Sequence, residues 1–162
     1  MNNTWLSLGS NEGDRLQWFQ KAMDLLSSNC GSIVNRSSVY ETAAWGLTTQ
    51  PDFLNMVIEV QTNKTPSQLL TEIHNIETVL GRQRDVKWGQ RTLDIDILLY
   101  NNDIIKLPGL TIPHPFMQDR RFTLTPLAEI APAYIHPKFN KTILQLLDEC
   151  PDKLEVHKYA DA

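Results

Sequence analysis

The stretch LDIDILLY, residues 93–100, limits most narrowly how this chain can fold. Every second residue in it is apolar: Leu93, Ile95, Ile97 and Leu99. This is the period of a β-strand, in which these side chains share one face and the carboxylates of Asp94 and Asp96 share the opposite face. Residues two apart on a strand are separated by about 6.6 to 6.8 Å, so both carboxylates can bind one pair of cations about 3.5 to 4 Å apart. The pattern predicts a strand that carries a two-magnesium site.

A basic segment directly precedes this strand. Residues 82–91 hold four basic side chains and one acidic one: Arg82, Arg84, Lys87, Arg91 and Asp85. Each feature alone is usually structural, because an Asp at a strand end often forms a turn and a basic cluster is often a solvated face. Two acids on one face of an apolar strand, however, repel each other unless cations lie between them. A magnesium polyphosphate satisfies both sets of charges, because the acids bind the metal while the metal and the arginines bind the phosphates.

Length and charge limit the remaining classes. A chain of 162 residues is most simply one domain, residues 1–162, with a single core. Its formal net charge of −4 argues against nucleic-acid or membrane-surface binding. The two cysteines match no metal spacing and imply no disulfide framework, and we find neither a signal-peptide pattern nor an apolar run of membrane length. We therefore expect a soluble, cytoplasmic monomer that acts on small molecules.

Hydrophobic periodicity and capping signals predict the order of the secondary structure. The predicted elements are a strand over residues 4–8, a helix from about Asp14, one strand over residues 32–42, a strand over residues 53–62, a helix from Thr65 to Gly81 and the strand over residues 93–100. This order is the split βαβ arrangement of an α+β, ferredoxin-like sandwich with a βαββαβ core. We therefore expect an antiparallel sheet with helices on one face and the other face free for ligands.

Local patterns add detail to this fold. One apolar stripe on the first helix is predicted from Leu16, Phe19, Met23 and Leu26. After the core we expect a hairpin over residues 101–115, a helix opened by Thr125 and Pro126 and ending before Pro132, a last helix over residues 142–149, and a polar tail from Pro151 that frays.

Small and aromatic residues near the predicted strand ends are candidates for ligand contacts. The turn GSN at residues 9–11 is either a plain turn, which the sequence alone favours, or a turn whose backbone N–H groups lie near a ligand. Trp45 either covers an edge of the core or forms a platform for a flat ligand. Phe53 and Asn55 project together from one face of their strand.

Two titratable side chains also have two interpretations each. Glu77 lies at the edge of the apolar stripe of its helix, where we expect partial burial. It is either a functional acid or an ordinary boundary residue paired with a loop arginine. His114 stands between two prolines that hold its backbone extended and fix its ring direction. It is either structural or part of a phosphate site with Arg120 and Arg121.

Four strings in the sequence resemble one known family. The turn GSN, the string QPDFLN, the run GRQRDVKWGQRTLDIDIL and the string IPHPFMQDRRF stand in the order and spacing of the 6-hydroxymethyl-7,8-dihydropterin pyrophosphokinases of folate biosynthesis. The resemblance extends over roughly residues 6–132, nearly the whole domain. It implies that the terminal pyrophosphoryl group of ATP is transferred to the hydroxymethyl group of a reduced pterin, with AMP as the second product. It also implies two Mg²⁺ ions.

The resemblance further implies a set of site residues. The catalytic residues would be Arg82, Arg91, Asp94 and Asp96, the two acids being the magnesium ligands. The ATP site would comprise His74, Glu77, Arg82, Arg84, Trp88, Arg91, Ile97, Thr111, His114 and Arg120. The pterin site would comprise Thr42, Ala43, Trp45, Phe53, Asn55, Asp94 and Phe122, with aromatic rings above and below the pterin and the amide of Asn55 at its edge. The geometry of this transfer suits two metals and arginines, and no general base is assigned.

The chain departs from the usual pattern of that family at several positions. Prolines are common where this chain has Ala43 and Ala44, and another where it has Gln90; Phe53 replaces a tyrosine and His74 a glutamine. These departures bear on pterin affinity and loop closure rather than on the class of reaction.

Two other functions are open from the residues alone. One is a nucleic-acid-binding module, in which Trp and Arg side chains would stack on bases and bind phosphates. It leaves Asp94 and Asp96 unexplained on a surface that would have to bind an anion. The other is a nucleotidyltransferase, which would use the same metals but release pyrophosphate instead of AMP.

Overall fold

A computed structural model describes residues 1–42, 52–81 and 93–160 of this chain. The first elements in chain order are β1 (Asn2–Ser10), α1 (Arg15–Asn29), β2 (Ser32–Arg36), β3 (Val39–Thr42), β4 (Phe53–Thr62), α2 (Pro66–Val79) and β5 (Asp94–Tyr100). The hairpin β6 (Ile105–Leu107) and β7 (Leu110–Ile112) follows, then a short 3₁₀ helix (Met117–Asp119), α3 (Arg121–Ile130), β8 (Ile135–His136), β9 (Lys141–Thr142), α4 (Ile143–Asp148) and β10 (His157–Ala160).

One antiparallel sheet organises the described part of the chain. Its strands lie in the order β10, β3, β4, β1 and β5, and β2 pairs with β4 alongside β3. The prediction of a mixed α and β protein with an antiparallel sheet is confirmed. The strand predicted over residues 53–62 is β4. It pairs with β1 along most of its length, and on its other side with β3 near its start and with β2 near its end.

Helices cover both faces of this sheet. Between the sheet and the helices α1 and α2 lies a first apolar cluster that includes Leu6, Leu8, Phe19, Leu26, Met56 and Ile73. On the opposite face α3 and α4 enclose a second cluster that includes Trp5, Val57, Leu98, Leu124 and Ile143. The expectation of helices on one face and a free opposite face is therefore wrong. Its physical reason is that the second face also carries apolar side chains, which must be removed from water.

The two long helices begin and end where their capping residues stand. The Asp14 side chain accepts the N–H of Gln17, and α1 follows it directly. Thr65 and Gln68 form the predicted capping box at the start of α2, and Gly81 follows its end with a φ of 88°.

The predicted stripe of α1 is confirmed except at its first residue. Phe19, Met23 and Leu26 are buried, whereas Leu16 is 42% exposed. At 100° per residue the buried face is centred near Phe19, Ala22 and Leu26, so Leu16 lies at its edge.

The single strand predicted over residues 32–42 is two strands in the structure. Both β2 and β3 pair with β4, and Ser37 and Ser38 separate them. The Ser37 N–H donates to the carbonyl of Val57 (2.9 Å), and its hydroxyl accepts the N–H of Val57 (2.9 Å). The serine side chain thus replaces one backbone group of the ladder, which a pattern of apolar residues does not reveal.

β5 contains an irregularity that changes the face of its last residues. Ile97 pairs with Leu6 and Leu99 pairs with Trp5, so Leu98 is an extra residue opposite the bond between them. Leu99 consequently lies in the second cluster rather than with Leu93, as the alternation predicted. An inserted residue reverses the inward and outward sense of everything that follows it.

The C-terminal third differs from prediction in two places. α3 begins at Arg121, and Pro126 lies inside it instead of near its start. The helix extends to both sides of this proline because Leu124 and Leu127 are both fully buried in the second cluster. The tail beyond Pro151 was expected to fray, but its residues 157–160 form β10, which pairs with β3. The hairpin and the last helix are confirmed.

The described helices were compared with the requirements for a membrane span. Within residues 1–42, 52–81 and 93–160, none combines the length and the apolar character that a membrane span requires.

We predict that His136 makes folding stability depend on pH. His136 is 1% exposed, and its Nδ1 accepts the N–H groups of Lys138 (3.1 Å) and Phe139 (3.4 Å). Burial lowers the pKa of His136 from 6.5 to about 4, and the charge of Lys138 adds to this. The unfolded chain therefore binds a proton that the folded chain excludes. The free energy of unfolding should fall as the pH drops from 6.5 towards 4, by up to about 3 kcal/mol.

Urea unfolding at several pH values checks this prediction. The variant His136→Asn keeps an acceptor near the two N–H groups but does not titrate, so its stability should fall less over the same interval. Equal pH dependence in both proteins would contradict the assignment.

Candidate active site

Two carboxylates stand at the start of β5, next to the central strand β1. Asp94 pairs with Gly9 and Asp96 pairs with Ser7. Asp94 is half-buried and Asp96 is exposed, whereas Ile95 between them is buried in the first cluster. The carboxylates therefore project from the opposite face to Ile95, as the alternation predicts.

The other side of β1 brings Asn55 to the same end of the sheet. Asn55 pairs with Gly9, so this glycine lies between Asn55 on β4 and Asp94 on β5. A Cβ atom at position 9 would lie only 2.8 Å from the Asn55 Oδ1, a distance that side chains do not tolerate. The absence of a side chain at Gly9 thus leaves room for the buried amide of Asn55.

Thr42 and Phe53 complete this end of the sheet. They form the terminal pair of the ladder between β3 and β4. The Thr42 hydroxyl is buried and has no hydrogen-bond partner among the described residues. Phe53 is half-buried, two residues from Asn55 on the same strand. Four of the residues predicted to contact a flat ligand are thereby brought to one end of the sheet: Thr42, Phe53, Asn55 and Asp94.

Glu77 is more deeply buried than the sequence suggests. It is 2% exposed, and its Oε2 accepts the N–H of Ile95 at 2.9 Å. β5 is an edge strand, so its outward N–H groups have no neighbouring strand to bind. The carboxylate of Glu77 replaces that missing partner between Asp94 and Asp96. The expectation of partial burial is wrong, because the helix stripe does not reveal that β5 closes over this position.

A cleft of about 360 Å³ opens beside this bond. It is lined by residues of α2, β5, the hairpin and the segment that follows it: Leu70, His74, Glu77, Ile95, Asp96, Ile97, Leu107, Gly109, Leu110, Thr111, His114 and Pro115. The cleft brings together five of the predicted nucleotide residues, His74, Glu77, Ile97, Thr111 and His114. The lining residues of the hairpin other than Thr111 were not predicted, because apolar residues and a glycine give no chemical signal.

The ring of His114 is held in one direction, as its flanking prolines predict. Its backbone N–H donates to the carbonyl of Leu98 (2.9 Å), and its Nδ1 accepts the N–H of Phe116 (3.2 Å). Burial lowers the pKa of His114; the negative charge of Asp96 opposes this, and the positive charge of Arg120 adds to it. In the neutral ring an accepting Nδ1 leaves the proton on Nε2, which is therefore a donor.

Arg120 lies between two aromatic rings. Its guanidinium carbon is 5.5 Å from the ring centroid of Phe116 and 5.9 Å from that of Phe122. Arg121 points elsewhere, because its Nε donates to the carbonyl of Asp152 at 2.9 Å. Of the two neighbouring arginines, Arg120 is therefore the one that lies near the predicted ATP residue His114 and the predicted pterin residue Phe122.

Several predicted residues lie outside the described part of the chain. These are Ala43, Ala44, Trp45, Arg82, Arg84, Trp88, Gln90 and Arg91. Among the described residues, no group of three or more His, Cys, Asp or Glu side chains is arranged to bind a metal.

The turn after β1 is more than a surface turn. Ser10 and Asn11 are both fully buried, and Ser10 still belongs to the ladder with β4. Sequence reasoning favoured a plain turn here. The signal in the sequence is that these polar residues directly follow an apolar strand. Buried polar residues need hydrogen-bond partners, so their position indicates a specific structural or binding role.

Comparison with known proteins gives a consistent result. A family model described as 7,8-dihydro-6-hydroxymethylpterin-pyrophosphokinase matches residues 5–132. A 2-amino-4-hydroxy-6-hydroxymethyldihydropteridine pyrophosphokinase of Aquifex aeolicus is 42% identical over 149 residues, 92% of this chain and 92% of that protein. The enzyme of the same name from Bacillus subtilis is 46% identical over 132 residues, 80% of this chain and 79% of that protein.

Solved structures show a similar fold. A Plasmodium falciparum HPPK-DHPS structure superposes on 92% of this chain with a TM-score of 0.73 and 19% identity. This chain spans only 43% of the length of that one. At this identity the likeness concerns the fold alone.

We predict that the carboxylate of Glu77 stabilises β5 through Ile95. The variant Glu77→Gln keeps an oxygen acceptor, whereas Glu77→Leu leaves the Ile95 N–H buried without a partner. The free energy of unfolding of the leucine variant should be lower than that of the glutamine variant by about 1 to 3 kcal/mol. Urea unfolding measures the difference, and amide hydrogen exchange at Ile95 should be faster in the leucine variant. Two variants of equal stability and equal exchange would refute the role of this bond.

Proposed function

Because this chain belongs to the 7,8-dihydro-6-hydroxymethylpterin-pyrophosphokinase family, we propose that its active site is the end of the sheet that carries Asp94, Asp96 and Asn55. The chain transfers pyrophosphate from ATP to 6-hydroxymethyl-7,8-dihydropterin in folate biosynthesis. The observation that carries the site assignment is the position of β5. Asp96 lines the cleft. Asp94 and Asn55 both pair with Gly9, from the two strands on either side of β1. Two substrates on either side of these acids would meet at them.

ATP occupies the cleft between α2 and the hairpin in this proposal. Apolar side chains such as Ile97 and Leu110 offer a surface for the base, and the exposed His74 and Thr111 offer polar groups at the rim. His114 presents a neutral ring whose Nε2–H can donate a hydrogen bond to a phosphate oxygen. Arg120 adds positive charge near His114.

The pterin occupies the end of β3 and β4. A pterin ring is flat and rich in hydrogen-bond donors and acceptors, so it suits a fixed amide between aromatic faces. Asn55 supplies a buried amide whose position is limited by the close approach to Gly9. The buried hydroxyl of Thr42 supplies a further polar group. Phe53 and Phe122 are the described aromatic candidates for the faces.

The carboxylates of Asp94 and Asp96 fit magnesium. Mg²⁺ in phosphoryl-transfer sites is usually bound by one or two carboxylates together with substrate phosphates, so a larger acidic cluster is not required. When bound, magnesium neutralises and aligns the phosphate oxygens. We propose two ions, as the spacing of the two acids allows.

The residues of the chain contribute mainly by positioning. Glu77 holds the backbone between the two acids, and Asn55 fixes the orientation of the acceptor. His114 stabilises negative charge on the phosphates through a hydrogen bond from its Nε2–H, and Arg120 does so through its fixed positive charge. We propose the same charge-stabilising role for Arg82 and Arg91, with Arg84 and Trp88 also contacting ATP, and a pterin contact for Ala43 and Trp45. No side chain is assigned as a general base.

Three further features belong to the proposal. The order of strands, with β1 between β4 and β5, supports a ferredoxin-like core to which the C-terminal hairpins and helices are added. Small-molecule substrates support a cytoplasmic location. We also propose that the protein acts as a monomer.

The reaction is tested by its products. The protein is incubated with ATP, Mg²⁺ and 6-hydroxymethyl-7,8-dihydropterin, and the nucleotides are separated by chromatography. AMP and the pterin diphosphate are expected in equal amounts. Release of inorganic pyrophosphate together with a nucleotidyl product would indicate a nucleotidyltransferase instead.

We predict that Asp96→Asn lowers kcat by at least about 10²-fold, because it removes a charge at the point of metal binding. Its melting temperature should be unchanged, since Asp96 is exposed. The matched control is Asp103→Asn, an exposed acid just beyond the other end of β5, which should retain full turnover. Wild-type turnover by Asp96→Asn at saturating Mg²⁺ would show that this residue is not a metal ligand.

We also predict that Gly9→Ala weakens pterin binding through Asn55. The new Cβ would displace the Asn55 amide, so the Kd for the dihydropterin should rise by about tenfold or more. Isothermal titration calorimetry of Gly9→Ala, Asn55→Ala and the double variant measures the coupling. The two effects should not add, because both act on the same amide. Fully additive losses would rule out this route.

A further inference from the structure

Arg15, the first residue of α1, contacts three distant parts of the chain. Its Nη1 donates to the backbone carbonyl of Asp52 at 2.6 Å. The same nitrogen lies 3.9 Å from the Oε2 of Glu41 on β3. Its guanidinium carbon lies 5.6 Å from the ring centroid of Tyr159 on β10. One side chain therefore joins a helix, two neighbouring strands of the sheet and the C-terminal strand.

The contact with Asp52 is the strongest of these. A hydrogen bond from a guanidinium to a carbonyl at this distance is charge-assisted. The ion pair with Glu41 is longer and contributes less, as is usual for pairs near the surface. The Arg15 side chain is 19% exposed, although its bond with Asp52 lies at the surface.

These contacts lie directly beside the proposed pterin site. Glu41 precedes Thr42 and Asp52 precedes Phe53, and Thr42 and Phe53 are the terminal pair of β3 and β4. The position of both strand ends thus depends on the same guanidinium. A displacement of about 1 Å in a positioning element can cost about 10²-fold in a reaction that depends on alignment.

The C-terminal strand completes the arrangement. β10 pairs with the outer edge of β3, with His157 opposite Glu41, and it presents Tyr159 to Arg15. It lies beyond residues 5–132, the range that the family model matches. β10 therefore supports this strand end from a part of the chain outside that match.

We propose that Arg15 and β10 form a clamp that positions the pterin side of the active site. Arg15 is a positioning residue in this proposal, since it acts through Glu41 and Asp52. The inference rests on the proposed function. It assigns no role toward ATP, because β3 and β5 lie on opposite sides of the two central strands and the cleft adjoins β5. Loss of the clamp should therefore weaken binding of the dihydropterin and leave binding of ATP unchanged.

Three variants and one control test the clamp. Arg15→Met keeps the length of the side chain but removes the guanidinium, and Arg15→Lys keeps the charge. Tyr159→Leu removes the ring that faces the guanidinium. The control is Lys21→Met on the same helix: Lys21 Nζ lies 5.0 Å from the Trp18 ring centroid, the same kind of contact in another place.

Calorimetry gives the Kd for a non-hydrolysable ATP analogue with Mg²⁺, and then the Kd for the dihydropterin at saturating analogue. Arg15→Met should raise the dihydropterin Kd about tenfold and leave the Kd of the analogue within about twofold of the wild-type value. Arg15→Lys should recover part of this loss. Tyr159→Leu should change the dihydropterin Kd in the same direction by a smaller factor, and Lys21→Met should change neither.

Two outcomes overturn the clamp. Either Arg15→Met binds the dihydropterin as the wild type does, or it weakens both ligands equally, which indicates a general structural role. If Arg15→Met does not fold, Tyr159→Leu decides, because it leaves the guanidinium in place, and an unchanged dihydropterin Kd then rejects the proposal. Failure of the wild-type protein to bind the dihydropterin would instead reject the proposed function.

Discussion

The bond between the buried carboxylate of Glu77 and the N–H of Ile95 is the interaction on which the arrangement of this site depends. β5 is an edge strand, so the backbone groups on its outer side must find hydrogen-bond partners outside the sheet. The side-chain oxygen of Glu77 on α2 accepts one of these hydrogen bonds, from Ile95 between Asp94 and Asp96. The same helix thus covers the core, holds the acidic strand and lines the cleft.

The two sides of the sheet serve different purposes: one forms the cleft, and the other supports the proposed pterin site. The β5 edge, together with α2 and the hairpin, forms the cleft. The β3 edge is held by β10 and by Arg15, at the end where Thr42 and Phe53 pair. The central strand β1 joins these two regions, and its Gly9 pairs with Asn55 on one side and with Asp94 on the other. The two regions are distinct because β3 and β5 lie on opposite sides of β4 and β1 in the strand order.

Much of the fold could be predicted because it depends on local patterns. Alternation identified β4 and the acidic strand, and a capping box identified the start of α2. The irregularity that moves Leu99 to the other face could not be predicted, because it depends on pairing with Trp5, far away in the sequence. The break between β2 and β3 arises from the hydroxyl of Ser37, which a count of apolar residues ignores.

Candidate site residues could be named from the sequence where their chemistry is visible in residue type, and their roles stay predictions. The cleft gathers Glu77 and His114 with Asp96, as the motifs implied. The hairpin residues that line the cleft could not be predicted, because apolar residues and a glycine give no chemical signal. The burial of Glu77 could not be predicted without knowing which strand packs over α2. The arginines and the tryptophans of segments 43–51 and 82–92 remain predictions from the sequence and its resemblance to the family.

The pairing of β10 with β3 has a consequence for self-association. A bare strand edge offers a row of backbone groups to any other polypeptide in extended form, which favours intermolecular sheets. The last described strand occupies that row on one side, and the carboxylate of Glu77 occupies part of the row on the other. Shortening the chain before residue 157 would uncover the β3 row. β10 replaces that row with its own edge, which is only four residues long and carries Lys158, and a short edge with a lysine disfavours pairing with other chains.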